Sequence, residues 1–313
     1  MAMDLLRKKR TKKLYTAQRN IFYLILPLFG ALLLFSYVPL YGWLMAFTRY
    51  KPAYGSNFLN APWVGFDNFK RMFGFGSNFG RAITNTLAMG SLNLLCFPLP
   101  LIIAILLMEI RRKTVRKIIQ VGIAFPNFIS IIVVYSLFYS LFSIDTGLVN
   151  KLLSSVGFSQ PFNPLGNASI TWYFQTCVGI WKGVGWSSII YLSNIAAINP
   201  DLYAVAAVDG ANRLRQVWHI TVPGVMPTFI VLLLLSMGTF LSGASSFEQV
   251  LAFHNPAVAP KIETIDYLIY RIGLVSNDYA LSTAMSIFKA GISLTTLFSI
   301  NFFSKYALGE TII

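Results

Sequence analysis

Residues 199–223 read NPDLYAVAAVDGANRLRQVWHITVP, and this polar stretch between two long apolar runs decides how the chain is organised. Asn199 is a good N-cap residue, and Pro200 suits the first position of a helix. Gly210 follows one short helix, at a place where only glycine adopts a positive φ cheaply. The pattern therefore predicts two short helices bent at Gly210, with small alanine side chains on one face of the first.

The composition around this stretch excludes a soluble protein. Hydrophobic residues make up 56% of the 313 and charged residues only 12%, whereas a globular domain carries roughly 25% charged residues. The 26 Phe, 15 Tyr and 6 Trp suit aromatic belts at the two surfaces of a bilayer. The composition indicates an integral membrane protein.

The long apolar runs predict an all-α fold with six transmembrane helices. The runs cover residues 21–47, 83–108, 118–142, 172–195, 227–241 and 280–303. The first run is about twice as long as the core of a cleavable signal peptide, and no small-x-small cleavage site follows it, so we expect a retained helix. Pro223 and Pro227 blur the start of the fifth run and fit the beginning of a helix better than a break.

The basic residues are distributed unevenly across these spans. Fifteen Lys and Arg fall on the side of the N-terminus, eight on the other side, and Lys182 and Lys289 lie within spans. This bias predicts that both termini are cytoplasmic. The basic clusters then determine topology and contact anionic lipid, and we expect no nucleic-acid partner.

The spans and loops predict four segments. Residues 1–20 form a basic cytoplasmic arm, and residues 21–81 form the first transmembrane helix with an aromatic extracytoplasmic segment. Residues 82–304 form a core of five transmembrane helices that includes the 199–223 loop, and residues 305–313 form a cytoplasmic tail.

The chain carries no motif for chemistry of its own. The G-x-x-x-x-G-K-[ST] pattern is absent, so nucleotide hydrolysis by this chain is not expected. Cys96 and Cys177 lie in apolar runs and form no C-x-x-C pair. His219 and His254 lack the neighbours of a catalytic histidine. We therefore predict no catalytic residue, no metal site and no cofactor in this chain.

Two other classes of membrane protein compete with a transporter driven by a partner. All eleven carboxylates lie in loops, tails or helix ends, which weakens a proton-coupled carrier because such carriers use an intramembrane acid. A sodium-coupled carrier that uses backbone carbonyls stays open, so a self-contained secondary carrier is the alternative hypothesis. A membrane-bound enzyme or assembly subunit comes third, because the chain has only two histidines.

The 199–223 loop can be an amphipathic connector at the membrane surface or a docking element for another protein. It resembles the EAA loop of the permease subunits of binding-protein-dependent ABC importers, whose pattern is E-A-A, three residues, Gly, nine residues, Ile, any residue, Leu-Pro. The chain departs from that pattern at Ala204, Val205 and Val222. Ala204 replaces a glutamate that can pair with the ATPase, and Asp201 on the same helix face can substitute for it. The ATPase-coupling residues that the resemblance implies are Ala204, Val205, Ala206, Ala207, Asp209, Gly210, Ala211, Ile220 and Pro223.

The resemblance extends over residues 20–313. Residues 181–186, WKGVGW, are similar to the fourth span of sugar permeases. Residues 247–249, 255–256, 265–267 and 270–274 are similar to the subgroup that imports oligosaccharides and polysaccharide fragments, as are residues 288–289 and 309–310. On these residues the chain is identified as a type I ABC sugar importer permease of the oligosaccharide and polysaccharide subgroup.

The resemblance also implies partners and a mechanism. A second homologous permease, two ABC ATPase subunits that hold ATP and Mg, and an extracytoplasmic solute-binding protein would assemble with this chain in the bacterial cytoplasmic (inner) membrane. ATP-driven closure of the ATPases would then drive alternating access and import of an oligosaccharide, with a uronate oligomer as an acidic candidate.

Polar residues within the spans are candidates for the substrate pathway. A lysine near a helix centre costs roughly 2.5–3.5 kcal/mol, so Lys182 and Lys289 should face a wet or protein interior. They can line a cavity that meets sugar hydroxyls or carboxylates, or they can cap carbonyls of neighbouring helices. The predicted pathway residues are Lys182, Trp186, Asn194, Ser286, Lys289 and Ser293.

The outer segments carry candidate contacts for the binding protein. These are Glu248, His254 and Asp266, although ordinary solvated loops have the same composition. The segment 48–82 is too aromatic for free coil. We expect it to lie partly in the membrane interface or to pack on the outer ends of the spans.

Overall fold

The computed structural model describes residues 22–55, 58–74, 77–158, 160–238, 240 and 246–308. These residues form helices and turns, with one isolated antiparallel bridge between Thr48 and Trp63. The predicted all-α class is confirmed for this part of the chain. The predicted arm at residues 1–20 and the end of the predicted tail lie outside the described residues.

The helices follow one another with short connections. In chain order they are α1 (Phe22–Phe47), α2 (Asp67–Gly74), α3 (Ser77–Leu95), α4 (Leu99–Met108), α5 (Lys113–Ala124), α6 (Ile131–Phe142), α7 (Leu148–Ser155), α8 (Thr171–Ala197), α9 (Pro200–Val208), α10 (Arg213–Gln216), α11 (Val222–Gly238), α12 (Phe247–Phe253), α13 (Ala259–Ile262), α14 (Ile265–Tyr270) and α15 (Tyr279–Leu308).

Four helices within the described ranges are long and apolar enough to cross a membrane. They are Phe22–Phe47, Asn78–Met108, Arg213–Gly238 and Tyr279–Ser299. A fifth span exists if Lys113–Phe128 and Ile131–Phe142, which are bent by 103° to each other, count as one. Helix α8, with 27 residues, is long enough to cross a membrane, but its glycines, polar residues and Lys182 make it less apolar than the four helices above. The predicted number of six therefore stays a prediction.

The predicted third span, 118–142, is interrupted. A 3₁₀ turn at Phe125–Phe128 carries Pro126, and Ile129 is extended before α6 begins. Proline lacks the N–H that would continue the helical ladder, so the axis changes direction here.

The predicted fifth span begins earlier than expected. We predicted a run of about residues 227–241 with a few flanking residues, and α10 and α11 join through a π-helical turn, Val217–Thr221, into one helix that starts at Arg213. In this wide turn the N–H of Val222 donates to the carbonyl of Val217, which carries the helix past Pro223. Pro227 lies inside the helix.

The chain forms two compact units. Of the described residues, the first unit comprises those within 22–72 and 272–287, and the second comprises those within 73–271 and 288–308.

In the described part of the first unit, aromatic rings pack around the end of α1. The Phe47 ring lies 5.7 Å from that of Trp63 and 5.5 Å from those of Phe66 and Phe69, between centroids. The segment after α1 is thus packed rather than free, as its aromatic composition predicts.

Helix α8 lies at the centre of the second unit. Towards its C-terminal end it packs against α4 and α11, through the cluster Leu101, Ala104, Leu107, Tyr191, Leu192, Ile195 and Val225. Towards its N-terminal end it packs against α6 and α12, through a cluster that includes Ile131, Val134, Val178, Val250 and Phe253. Between the two, a Cβ on Gly185 would lie 2.0 Å from the Ile123 carbonyl oxygen. Glycine lets the backbones of α5 and α8 approach closely, as small residues do in membrane helix packing.

Candidate coupling loop and polar residues of the membrane helices

Residues 199–223, the knob, begin with a well-capped helix. The Asn199 Oδ1 atom accepts a hydrogen bond of 2.9 Å from the Asp201 N–H. At the other end of α9, Gly210 has a φ of +74°, and the Ala211 N–H donates to the Ala206 carbonyl at 2.9 Å. This is the usual glycine-based helix ending. The predicted first helix and its glycine turn are confirmed.

The rest of the knob folds back on α9. The Asn212 Oδ1 atom caps α10 by accepting from the Arg215 N–H at 2.9 Å. The Tyr203 hydroxyl lies 2.9 Å from the Thr221 hydroxyl and joins α9 to the π-helical turn. The second helix of the knob is therefore continuous with α11 rather than separate.

Several large apolar side chains of the knob face outward. Val208 is 88% exposed and Trp218 is 62% exposed, and Leu202, Val205 and Leu214 are exposed as well. Of the predicted coupling residues, Ala206, Ala211 and Ile220 are half-buried, and the exposed ones are Ala204, Val205, Ala207, Asp209, Gly210 and Pro223. Several exposed large apolar side chains in one short segment indicate a candidate contact with a protein or the membrane.

Lys182 bonds to the backbone at the break between α5 and α6. Its Nζ atom donates to the Asn127 carbonyl oxygen at 2.8 Å. This contact is the capping of a neighbouring carbonyl, which is the alternative to lining a substrate cavity. Four residues further along α8, the Trp186 ring meets the Phe128 ring edge-on at 5.4 Å and is half exposed. Roles for Lys182 and Trp186 in the substrate pathway stay predictions.

Lys289 forms an ion pair with Asp266. The Lys289 side chain is only 14% exposed and that of Asp266 is 27% exposed. The pair joins a predicted pathway residue to a predicted binding-protein contact, which the sequence pattern did not connect. Breaking a poorly exposed pair is costly because one charge is left without a partner.

The other pathway candidates lie elsewhere. The Asn194 Oδ1 atom accepts from the Thr228 hydroxyl at 2.9 Å and so ties α8 to α11. The Ser286 hydroxyl donates back to the Ser282 carbonyl at 2.9 Å. The Ser293 hydroxyl is buried without a hydrogen-bond partner in the described structure. In the second unit, Lys182 with Trp186, Asn194 and Lys289 thus occupy three separate places.

A charged network surrounds Glu263, which lies between α13 and α14. Its Oε1 atom accepts from Arg271 Nη1 at 2.6 Å and lies 3.1 Å from His254 Nε2. The His254 ring stacks on the Tyr267 ring, with centroids 4.5 Å apart. Burial, and then the charge of Glu263, raise the pKa of Tyr267. Glu248 is exposed in the first turn of α12.

Asn85 is a residue that sequence reasoning missed. Its side chain is buried, and its amide donates to the carbonyls of Pro260 (3.1 Å) and Glu263 (2.9 Å). Its Oδ1 atom accepts from Trp172 Nε1 at 3.1 Å. An asparagine near the start of an otherwise apolar run was the signal that could have identified it.

Gln175 and Gln249 form a similar buried contact. The Gln249 Nε2 atom donates to both the backbone carbonyl and the side-chain oxygen of Gln175, each at 2.8 Å. Gln249 belongs to the 247–249 motif of the resemblance. One residue of that motif therefore holds α8 to α12.

Comparison with known proteins gives the family of this helical membrane chain. The profile of the family described as "Binding-protein-dependent transport system inner membrane component" matches residues 96–307, and the chain belongs to that family. It is an inner membrane component of a bacterial ABC transporter.

Individual relatives agree with this assignment. The chain is 36% identical over 318 residues to "Protein LplB" of Bacillus subtilis (strain 168), covering 97% of this chain and 98% of the relative. It is 37% identical over 305 residues to "Polygalacturonan/rhamnogalacturonan transport system permease protein YteP" of the same organism, covering 96% and 92%.

A solved structure has the same fold. It is a chain of a bacterial ABC transporter involved in the import of the acidic polysaccharide alginate, with a TM-score of 0.84 and 34% identity over 96% of this chain and 99% of that chain. The expected type I ABC permease fold is thereby confirmed.

Proposed function

We propose that the chain is the permease subunit of an ABC importer that moves an acidic oligosaccharide or polysaccharide fragment into the cytoplasm. The observation that carries this proposal is the knob, which folds through its own hydrogen bonds yet exposes Val208, Leu214 and Trp218. It stands at the position of the EAA loop, where such permeases meet their ATPases.

Six transmembrane helices with both termini in the cytoplasm complete the proposed topology. Helix α8 would be the fourth span and the bent pair α5–α6 the third. Fifteen Lys and Arg on the inner side against eight on the outer side support this orientation. The knob then lies in the cytoplasm, where ATPases can reach it.

The proposed partners follow from this arrangement. They are a second homologous permease, two ABC ATPases that carry ATP and Mg, and an extracytoplasmic solute-binding protein. One structural relative, with a TM-score of 0.83 and 34% identity over 93% of this chain and 96% of that one, is a bacterial alginate ABC transporter in complex with an alginate pentasaccharide-bound periplasmic protein. That complex supports the binding-protein partner.

An acidic substrate is proposed because the names of two relatives specify acidic sugars. The name of YteP specifies polygalacturonan and rhamnogalacturonan, and the structural relative imports alginate. Closure of the ATPases would press on the knob and drive alternating access, while Lys182, Lys289 and Trp186 meet hydroxyls or carboxylates of the sugar. A self-contained secondary carrier gives no reason for an exposed apolar knob, and it is not favoured.

Gly210→Val tests the proposal at the knob. A β-branched residue at a φ of +74° is strained by roughly 1–3 kcal/mol, so the end of α9 should rearrange. We expect ATP-driven import by the reconstituted complex to fall at least tenfold while ATP hydrolysis persists. Sugar uptake and phosphate release are measured in the same proteoliposomes.

Gly157→Val is the matched control. Gly157 also has a positive φ, of +96°, and neither glycine has an atom within 4 Å of an added Cβ. It lies beyond α7, away from the knob. Normal coupled import by the Gly210→Val variant, or an equal loss in both variants, would contradict docking at the knob.

A further inference from the structure

A basic cavity lies in the first unit. It has a volume of about 780 Å³ and is lined by Arg49, Lys51, Lys70 and Arg71, with residues 276–278 among the facing residues. Pockets that hold small molecules usually measure about 300–1,000 Å³. The cavity is therefore large enough for a sugar oligomer of a few residues.

The cavity carries an excess of positive charge. Of its two carboxylates, Asp278 is paired with Arg71 at 2.8 Å. The other carboxylate is Asp67, and three cations remain beside it: Arg49, Lys51 and Lys70. None of these three forms an ion pair within the described part of the chain. An unpaired cluster of cations in a concave site attracts anions.

The backbone around these cations is held in place. The N–H of Arg49 donates to the Pro62 carbonyl at 2.9 Å, beside the Thr48–Trp63 bridge. The buried Asn68 fixes Arg71 by accepting from its Nη1 atom at 2.9 Å. The Arg49 backbone and the Arg71 side chain are therefore positioned before a ligand binds, which reduces the entropy lost on binding.

An aromatic wall adjoins the cations. Tyr50 lines this cavity and a second one of about 450 Å³, which is also lined by Tyr279. The two rings lie 6.1 Å apart, and the Tyr50 hydroxyl donates to the Gly55 carbonyl at 2.9 Å. Aromatic faces beside a few polar groups suit a ligand that has apolar faces and a polar rim, such as a pyranose ring.

Residues 48–82 carry more positive charge than is usual for a segment on the outer side of the membrane. Five of the eight outer Lys and Arg fall within residues 48–82, together with a single acidic residue, Asp67. Short outer loops of membrane proteins are usually poor in Lys and Arg. Four of the five line one cavity, which indicates a ligand rather than a topological role.

We propose that this cavity is an extracytoplasmic subsite for the carboxylates of an acidic oligosaccharide, separate from the lysines of the membrane helices. Arg49, Lys51 and Lys70 would bind the carboxylates, and Tyr50 and Tyr279 would pack against sugar rings. This inference rests on the proposed function, because it names where an acidic substrate is recognised.

Lysine footprinting on the complete transporter in nanodiscs tests the site. The probes are tri-galacturonate and its fully methyl-esterified, neutral form. We expect tri-galacturonate to slow amine acylation of Lys51 and Lys70 at least threefold, as measured by mass spectrometry. The neutral ester should leave both unchanged, and Lys151, which lies outside the cavity, should react equally in all samples.

Variants separate charge from structure. The double variant Arg49→Gln/Lys51→Gln should lose the protection of Lys70 and its salt dependence. The charge-preserving double variant Arg49→Lys/Lys51→Arg should retain them. Arg81→Gln removes a cation of the same 48–82 segment that lies in α3 and does not line the cavity, and it should behave as wild type.

The outcomes distinguish this site from the proposed function. Unchanged lysine reactivity with tri-galacturonate, or protection that persists in the double glutamine variant, would overturn the site even if the protein imports the sugar. Protection without ATP-dependent import would support the site and refute the proposed function. Loss of stimulation by the binding protein without any protection by the free sugar would show that these cations meet a protein surface, which also overturns the site.

Discussion

The knob differs from the buried amides of Asn85, Gln175 and Gln249 in how far its hydrogen bonds reach along the chain. The hydrogen bonds described for the knob stay within residues 199–223, such as Tyr203 with Thr221. The bonds of Asn85 and Gln249 instead join residues 74 to 178 positions apart. The knob exposes apolar side chains, whereas the amides of Asn85, Gln175 and Gln249 are buried.

This difference indicates what each region does. Buried amides must be paired inside the protein, so Asn85, Gln175 and Gln249 hold α3, α8, α12 and the loops near α13 in one arrangement. The knob leaves its apolar side chains exposed, and the proposed docking of another protein would cover them. The buried amides belong to a fixed scaffold, and the knob is the proposed docking surface.

Gly185→Ala should have the largest effect, because α8 supports both regions. An added Cβ would lie 2.0 Å from the Ile123 carbonyl oxygen, so α5 and α8 must separate. We expect the free energy of unfolding to fall by more than about 3 kcal/mol. Thermal unfolding in detergent measures it. Gly183→Ala on the same helix, where a Cβ meets nothing within 4 Å, should change little, and an equal loss there would contradict this account.

Asn85→Ala should have a smaller effect that is confined to the scaffold. Three hydrogen bonds are lost, and the partners at Trp172, Pro260 and Glu263 are left unpaired. We expect a loss of about 2–3 kcal/mol, with faster amide exchange in residues 259–265 and unchanged exchange in the knob. Asn60→Ala, at an exposed asparagine, is the control. Exchange that rises equally in both regions would show that they are not independent.

Tyr203→Phe should have the smallest effect, and it tests whether the knob can loosen without the scaffold. It removes only the hydroxyl that meets Thr221 at 2.9 Å. We expect about 1 kcal/mol of local destabilisation, seen as faster amide exchange in residues 200–211. The unfolding temperature of the whole chain should hardly change. A global loss of stability would mean that the knob is part of the scaffold.

The sequence predicted the features that depend on local chemistry. The Asn199 cap, the short helix and the turn at Gly210 follow from residues within a few positions of one another, and the structure has them. The helical class followed from the apolar runs. The helix that contains the fifth run begins well before the run itself, because a π-helical turn carries the helix past Pro223.

Pairings between distant residues could not be predicted. Lys289 and Asp266 are 23 positions apart, and the sequence pattern assigned them to different roles. Asn85 meets Glu263 only because α3 and the segment after α13 pack together. No periodicity indicates such contacts, since they depend on how helices are arranged in space.

The continuity of Arg213–Gly238 has a mechanical consequence. At 26 residues and 1.5 Å per residue the helix is about 39 Å long, and it has no loop between the knob and the far end. A tilt of about 10° at the knob would move the far end by about 7 Å, given that length. In the proposed mechanism this helix would act as a lever, and its bending stiffness at the Val217–Thr221 turn and at Pro227 would determine how much of the displacement reaches the far end.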